Sequence, residues 1–232
     1  ISPQTVASKN IVPSQLIETE DVVLPDWALE PHPPEPSLPQ PLSPSQPGEE
    51  PAVHSPLSKS SGETFKRGRL IHALLQTLPE IELSKRREAA RHFLALPTHE
   101  LNTQNQKAIL SETLSVLEAP HFAVLFGPGS RAEVPIVGTL MPANGGAPII
   151  VSGQVDRLLI TEKEVGIIDY KTNRPPPSVP EEILPTYLRQ IAIYRALLQA
   201  IYPGRTTRAA ILWTDSARLM ALPEMLLDAH AP

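Results

Sequence analysis

The segment GQVDRLLITEKEVGIIDYKT, residues 153–172, decides the fold of this chain. It contains two runs rich in valine, isoleucine and leucine, separated by the polar residues TEKE. Apolar runs of this kind on either side of a short polar break are typical of a β-hairpin. We place the turn at Glu162-Lys163, and this turn determines which residues of the two strands lie opposite each other.

The predicted register pairs Asp156 with Asp169, Gln154 with Lys171, and Leu158 with Ile167. Directly opposed side chains lie about 4.5–5.5 Å apart on one face of the sheet, so the two aspartates would be neighbours. Lys171 follows Asp169 by two residues and therefore lies on the same face. The opposite face is mostly apolar and is predicted to pack in the core; it comprises Val155, Leu159, Ile168 and Tyr170.

Two carboxylates and a lysine on one sheet face are the groups needed to hydrolyse a phosphodiester. Carboxylates bind a hard cation such as Mg²⁺, which keeps several water ligands and also binds phosphate oxygens. The cation lowers the pKa of a bound water, while a lysine positions that water or neutralises the developing charge. The alternative is two exposed acids beside a salt-bridging lysine. The predicted pairing, surrounded by apolar residues, favours the catalytic interpretation.

The rest of the chain predicts an α/β or α+β domain over residues 63–232. Apolar spacing predicts helices over 63–78, from Ser84 (as N-cap) to Pro97, over about 103–117, and over about 181–201. Runs of valine and isoleucine predict strands over 132–140, 149–160 and 165–170, with short strands over 209–213 and 219–222. This order gives an all-helical opening followed by a sheet and a long helix.

Residues 1–62 differ in composition from the remainder. The first 60 residues hold 13 of the 28 prolines, together with two basic and eight acidic residues, so the net charge of −5 arises there. Proline fixes φ and removes an amide donor, which predicts an acidic, largely extended connector. A ligand for an SH3 or WW domain, at PSLPQP, is the alternative.

The composition also excludes several classes of protein. The chain has no cysteine, which excludes disulfide scaffolds, thiol nucleophiles and cysteine-ligated zinc or iron–sulfur centres. No apolar run approaches the roughly 20 residues needed to span a bilayer, so we expect no membrane partner. The chain begins with Ile1, from which we expect a fragment of a longer polypeptide. It has no G-x4-G-K-[ST] loop for nucleotide phosphates.

The order of the motifs resembles the RecB-like branch of the PD-(D/E)XK nuclease superfamily. GQVDRL is followed by IIDYKT and then by a helix that carries a glutamine and a tyrosine, while RGRLIHALL lies upstream. Further stretches resemble the C-terminal nuclease domain of AddA-type helicase–nucleases: FGPGSRAEVPIVG, YKTNRPPP, YLRQIAIYRALL and AAILWTD. The likeness runs from about residue 66 to 223. It implies a restriction-endonuclease-like core, a mixed sheet flanked by helices.

The resemblance also implies roles for individual residues. Asp156 and Asp169 match the metal ligands, Lys171 the catalytic lysine, and His72 the histidine ligand of the branch. The Tyr170 carbonyl would complete the metal shell, and Glu133 would orient the metal or the lysine. Gln190 and Tyr194 match positions near the lysine and the DNA backbone. Arg157, Arg174 and Arg189 are candidate phosphate contacts, since the guanidinium fork suits phosphate oxygens. Each of these side chains has an ordinary structural role as its alternative.

By the same resemblance, the chain is expected to be a Mg²⁺-dependent deoxyribonuclease, with Mn²⁺ as an alternative, that cuts single-stranded DNA ends as an exonuclease. Its parent would be a helicase–nuclease in double-strand-break repair and recombination, with ATP bound only by motor domains upstream. An AddB-type partner subunit and a bacterial, nucleoid-associated cytoplasmic location are also implied, without an iron–sulfur cluster. Two alternatives stay open: a nuclease-fold module that only binds DNA or a partner subunit, and a stand-alone exonuclease.

Overall fold

The computed structural model of the protein describes residues 42–44, 59–142 and 145–232, with side chains of the first helix from residue 62 onward. The predicted connector over residues 1–62 therefore lies mostly outside the described residues. The predicted domain over residues 63–232 lies almost entirely within them.

The described chain contains five α-helices and five strands. The helices are α1 (Lys59–Thr77), α2 (Leu83–Leu94), α3 (Thr103–Leu117), α4 (Pro185–Ile201) and α5 (Glu224–Asp228). The strands are β1 (Ser130–Leu140), β2 (Ile149–Ile160), β3 (Glu164–Lys171), β4 (Thr206–Trp213) and β5 (Arg218–Ala221). Short 3-10 turns cover Leu78–Glu80, Pro97–His99, Pro120–Phe126, Pro180–Glu182 and Thr214–Ser216. No single described helix is long and apolar enough to cross a membrane; Thr103–Leu117 and Pro120–Phe126, bent by 87°, pass that test only as a pair.

The strands form one mixed sheet in the order β1-β2-β3-β4-β5. β3 and β4 are parallel, and the other neighbours are antiparallel. Parallel neighbours need a long crossover connection, which α4 provides. The predicted mixed sheet flanked by helices is thereby confirmed.

Hydrophobic cores lie on both faces of this sheet, as the alternation along β4 shows. Ala210 and Leu212 pack with apolar residues of α1, α2 and α3 in one cluster. Ile211 and Trp213 pack with apolar residues of α4 in the other. The helical opening of the domain and the crossover helix therefore cover opposite faces.

The hairpin of β2 and β3 has the predicted register. Leu158 pairs with Ile167, and the ladder extends by one further pair, from Arg157 to Ile168. Beyond that point the backbone pairing gives way to a side-chain contact, in which Asp156 Oδ2 accepts a hydrogen bond of 2.7 Å from the amide of Tyr170. The aspartate carboxylate thus lies where the next ladder bond would be, so the predicted backbone pairs Asp156–Asp169 and Gln154–Lys171 do not form.

The predicted alternation of faces fails at one residue of β2. Ile168 and Tyr170 pack in the cluster with α1 and α3, as the predicted apolar face requires, but Val155 packs with α4 on the other side. Across the β1–β2 ladder, Glu133 has a left-handed backbone with φ 50°. A left-handed residue interrupts the regular pleat, and the residues on its two sides no longer follow one alternation.

Two predicted helix starts also move. Ser84 lies inside α2, where its hydroxyl donates to the Glu82 carboxylate at 2.7 Å, and Glu82 is the residue that precedes the helix. α4 begins at Pro185 instead of residue 181. Proline has no amide to contribute and disfavours helical backbone in the residue before it, so the helix starts at the proline.

A short piece of the proline-rich region pairs with the sheet. The Leu42 amide donates to the Ile150 carbonyl at 2.7 Å, and the Ser152 amide donates to the Leu42 carbonyl at 3.0 Å. These bonds lie on the stretch of β2 that precedes its ladder with β3. Leu42 therefore continues the sheet at the point where β2 and β3 separate.

Candidate active site

A cavity of about 630 Å³ opens beside α1, β2, β3 and the first turn of α4. Its lining includes seven of the predicted site residues, which are His72, Glu133, Asp156, Asp169, Tyr170, Lys171 and Gln190. Gly68 allows α1 to come close to the end of β3, since a Cβ there would lie 3.2 Å from Thr172 Oγ1. The fold thus brings together residues that are about 120 positions apart in sequence, from His72 to Gln190.

Three of these side chains form a group able to hold a cation. One ligand atom each from His72, Glu133 and Asp156 lies within 4.8 Å of the other two. The histidine comes from α1, and the two acids come from the neighbouring strands β1 and β2. Two carboxylates and an imidazole are a donor set that fits a divalent cation.

Hydrogen bonds orient the aspartate and the histidine of this group. Asp156 uses Oδ2 for the Tyr170 amide, while its Oδ1 lies 3.5 Å from His72 Nδ1. On its other side, His72 Nε2 lies 3.1 Å from the Tyr170 carbonyl oxygen. Burial opposes charge on His72, but the Asp156 carboxylate outweighs it and raises the pKa of His72 to about 9. Both ring nitrogens then carry protons, so a cation bound through His72 would have to replace one of these protons.

Asp156 and Asp169 have pKa values shifted in opposite directions. Burial acts to raise the pKa of Asp156, but the charged His72, Lys171 and the Tyr170 amide together lower it. Asp169 is 3% exposed, and burial raises its pKa to about 6, with Lys171 acting against and Asp156 adding to the shift. Burial dominates at Asp169, whereas the positive charges and the amide around the half-buried Asp156 dominate there, so the two pKa values move apart.

Asp169 also offers a buried carboxylate oxygen beside this group. Its Oδ2 lies 3.0 Å from Lys171 Nζ as an ion pair. A carboxylate oxygen has more than one lone pair, so this atom can bind a cation or its water in addition to Lys171. The residues present therefore fit a bound divalent cation.

Lys171 is held between three groups at the base of the cavity. Its Nζ donates to Gln190 Oε1 at 3.2 Å, pairs with Asp169, and lies 4.2 Å from the centroid of the Tyr187 ring. Burial would lower the pKa of Lys171, but Asp169 and Asp156 more than compensate and raise it. The lysine is therefore a fixed cation at neutral pH, suited to neutralising negative charge.

The other predicted DNA contacts do not share this cavity. Tyr194 is 1% exposed in the core, and its hydroxyl accepts from the Gln154 amide at 3.2 Å. Arg157 is 2% exposed, and its guanidinium donates to the Tyr170 hydroxyl at 3.0 Å and to the Leu75 carbonyl at 2.7 Å. Both side chains thus hold the fold together behind the site, and the structure does not offer Arg157 to a phosphate.

The two remaining arginines are at the surface. Arg189 is exposed on α4. Arg174 is half exposed and pairs with Glu112 and with Asp215, each at 2.6 Å. Arg189 is therefore a free candidate for phosphate, whereas Arg174 would have to leave two carboxylates.

Glu112 is a buried charge that the sequence analysis did not single out. It lies on α3, is 6% exposed, and forms ion pairs with Arg67 and Arg174. Thr214 Oγ1 donates to its other oxygen at 2.5 Å. Burial and the nearby Arg174 lower the pKa of Arg67 to about 10, with Asp215 acting against them. An acid within an otherwise apolar helix face, ILSETLSVL, was the available signal.

This Glu112 cluster (Arg67, Glu112, Arg174 and Thr214) supports the end of β3. Arg67 Nη1 donates to the Thr172 carbonyl at 3.2 Å, and Thr214 Oγ1 lies 3.4 Å from the Lys171 carbonyl. The backbone carbonyls of Lys171 and Thr172, at the end of β3, are thereby joined to α1, α3 and the turn after β4.

The chain matches the model of one known protein family. The family model described as "PD-(D/E)XK nuclease superfamily" matches residues 52–223. Curated proteins gave no match. Among solved structures, the chain is similar to one titled "Crystal structure of SSO0001", at 17% identity over 74% of this chain and 82% of that one, with a TM-score of 0.31. A superposition at that level carries no argument about function.

Proposed function

Because the chain belongs to the PD-(D/E)XK nuclease superfamily, we propose that it is a metal-dependent deoxyribonuclease. The observation that carries this proposal is the cavity in which His72, Glu133 and Asp156 converge beside the buried pair of Asp169 and Lys171. Metal-assisted phosphodiester hydrolysis uses metal-binding side chains and a positive charge near the reacting phosphate. His72, Glu133 and Asp156 would supply the first, and Lys171 would supply the second.

The residues divide the work of hydrolysis between them. His72, Glu133 and Asp156 would hold the cation, with the Tyr170 carbonyl at the edge of that group and Asp169 offering Oδ2. The bound cation supplies a water of lowered pKa and positive charge for the phosphate oxygens. Lys171, fixed by Asp169 and Gln190, adds a second positive charge where negative charge develops.

We further propose that Mg²⁺ or Mn²⁺ is the cation and that single-stranded DNA ends are the substrate. The motifs shared with AddA-type nuclease domains support this, and they also support a parent helicase–nuclease with upstream motor domains and an AddB-type partner. Double-strand-break repair and recombination in the bacterial cytoplasm is the setting that this resemblance favours.

Cleavage of a 5′-labelled single-stranded oligonucleotide, in Mg²⁺ and separately in Mn²⁺, tests the assignment. We expect Lys171→Ala to reduce the rate by about 10²–10³-fold, the usual effect of removing one group that stabilises transition-state charge. Asp169→Asn should reduce it by a similar factor, because it removes the charge that fixes Lys171 and faces the cation. Glu162→Gln and Lys163→Ala are matched controls, because both residues are exposed in the turn between β2 and β3. The controls should cut at the wild-type rate.

Two results would contradict the proposal. Unchanged cleavage by Asp169→Asn and Lys171→Ala would show that the chemistry lies elsewhere. If the wild type binds the oligonucleotide but cuts it in neither metal, the chain is a DNA-binding module of nuclease fold. Retained circular dichroism of each variant excludes misfolding as the cause of a loss.

A further inference from the structure

Phe65 is an aromatic side chain left open to solvent at the entrance of the active-site cavity. It is 44% exposed, and among residues 62–142 and 145–232 no other phenylalanine, tyrosine or tryptophan is classed as exposed. Burying an aromatic ring is favourable, and the fold buries its other described aromatic rings more deeply. The exposed Phe65 ring is therefore available to a ligand.

The position of Phe65 joins it to the reacting centre. Phe65, Arg69 and His72 lie on one face of α1, at the i, i+4 and i+7 positions, and all three line the cavity. At 1.5 Å per residue, Phe65 is about 10 Å along the helix axis from His72. A chain that places a phosphate at the His72 group therefore brings an adjoining nucleotide to the Phe65 ring.

Arg69 gives this place a second recognition element. It is exposed, and its guanidinium carbon lies 5.9 Å from the centroid of the Phe65 ring. A guanidinium pairs with phosphate and also stacks on a planar ring. Proteins that bind single-stranded nucleic acids combine these two groups: an aromatic ring stacks on a base, and an arginine pairs with the backbone phosphate.

We propose that Phe65 and Arg69 form a stacking site for one unpaired nucleobase next to the phosphate that is cut. This inference rests on the proposed nuclease function and specifies its substrate as a single strand. A base inside a duplex has both faces covered by its neighbours, so an internal base pair cannot lie on the Phe65 ring, whereas a base of a single strand can. Arg69 binds the phosphate of that nucleotide.

Steady-state cleavage of two oligonucleotides tests this directly. One is a run of thymidines, and the other has the same length with abasic sites, so that the phosphates are equal and the bases are missing. We expect wild type to have a lower KM for the thymidine strand, by about 5- to 150-fold, the range for stacking of one base. Phe65→Ala should abolish this preference with little change in kcat, and Phe65→Trp should keep it.

Arg69→Ala and one control separate the two contacts. Arg69→Ala should raise KM for both strands by a similar factor, because it removes a phosphate contact and leaves the ring. Val124→Ala, at a 73% exposed apolar residue that does not line the cavity, should leave both KM values unchanged.

An unchanged thymidine preference in Phe65→Ala, with cleavage intact, overturns the stacking site and leaves the nuclease proposal standing. Absence of both cleavage and binding in wild type overturns the two together.

Discussion

Replacement of Glu112 by glutamine tests whether a buried charge outside the candidate metal group controls both stability and catalysis. Glutamine keeps the shape of the side chain and still accepts from Thr214, but it carries no charge. Arg67 and Arg174 would then face each other without the carboxylate that both contact. The variant therefore isolates the electrostatic part of the Glu112 cluster.

The size of the effect follows from the exposure of the partners. Breaking a buried ion pair by removing one partner costs about 3–5 kcal/mol, and the Arg67 side chain is 18% exposed. Arg174 is 51% exposed, so water screens its share to about 1 kcal/mol or less. We expect a loss of about 3–4 kcal/mol in the free energy of unfolding. For a domain of this size, that lowers Tm by about 6–16 °C.

Urea unfolding followed by circular dichroism gives the stability, and cleavage measured far below Tm gives the activity. The cleavage rate should fall more than the unfolded fraction explains, because Arg67 and Thr214 contact the backbone carbonyls of Thr172 and Lys171. Glu118→Gln is the matched control. It removes a carboxylate just after α3 that forms an exposed ion pair with Arg87 at 3.1 Å. Loss of this pair should cost less than about 1 kcal/mol of stability.

If Glu112→Gln unfolds within about 0.5 kcal/mol of wild type, or no more easily than Glu118→Gln, the buried charge does not stabilise the fold. A double-mutant cycle gives a second criterion. Arg67→Met removes the cation that Glu112→Gln leaves without a charged partner, so the double variant should lose less stability than the sum of the two single changes. Simple additivity would mean that Arg67 and Glu112 do not interact.

Three further changes have outcomes set by the structure. Gly153→Ala would place a Cβ 2.5 Å from the Tyr194 hydroxyl oxygen, an overpacking that should cost about 1–3 kcal/mol and is checked by the urea midpoint; an unchanged midpoint would contradict it. In the metal-free protein, protonated His72 stabilises the fold because its pKa is raised. This contribution is complete at pH values below the pKa in the unfolded chain, about 6.5, and it is lost as pH rises through the pKa in the folded protein, about 9. Metal binding needs the neutral ring, so calorimetry should show affinity that increases with pH up to about 9, a slope that His72→Ala removes. Arg157→Ala should destabilise the fold by about 3 kcal/mol or more, because the polar groups around it lose their partner. Arg189→Ala should alter DNA binding alone. A loss of DNA binding without a loss of stability in Arg157→Ala would assign Arg157 to phosphate.

The hairpin was predictable from local sequence because a two-residue polar turn fixes the register of both strands. The pairing of Leu158 with Ile167 is confirmed, and the strands beyond it bring Asp156, Asp169 and Lys171 into one cavity. The side of the sheet to which Val155 belongs was not predictable. It depends on the left-handed backbone of Glu133 in another strand, and nothing in the period of β2 reports on that.

For the site, spacing alone indicated the two aspartates and the lysine, whereas His72 and Glu133 entered only through resemblance to a family. A histidine on α1 and a glutamate on β1 acquire meaning when tertiary packing brings both to Asp156. The same limit applies to buried charges. Arg157 follows Asp156 and is of a residue type that commonly binds phosphate. Its hydrogen bonds in the core show that the side chain points inward instead.

The pairing of Leu42 with β2 limits how far the chain can be shortened from its N-terminal side without exposing a strand edge. In a chain shortened to begin at residue 59, the amide of Ser152 and the carbonyl of Ile150 would lose their partners. Open strand edges of this kind pair readily with other molecules, and here the edge borders the cavity that Pro44 helps to line. A shortened protein would therefore tend to associate edge to edge, and that association would cover the entrance through which a DNA strand must pass.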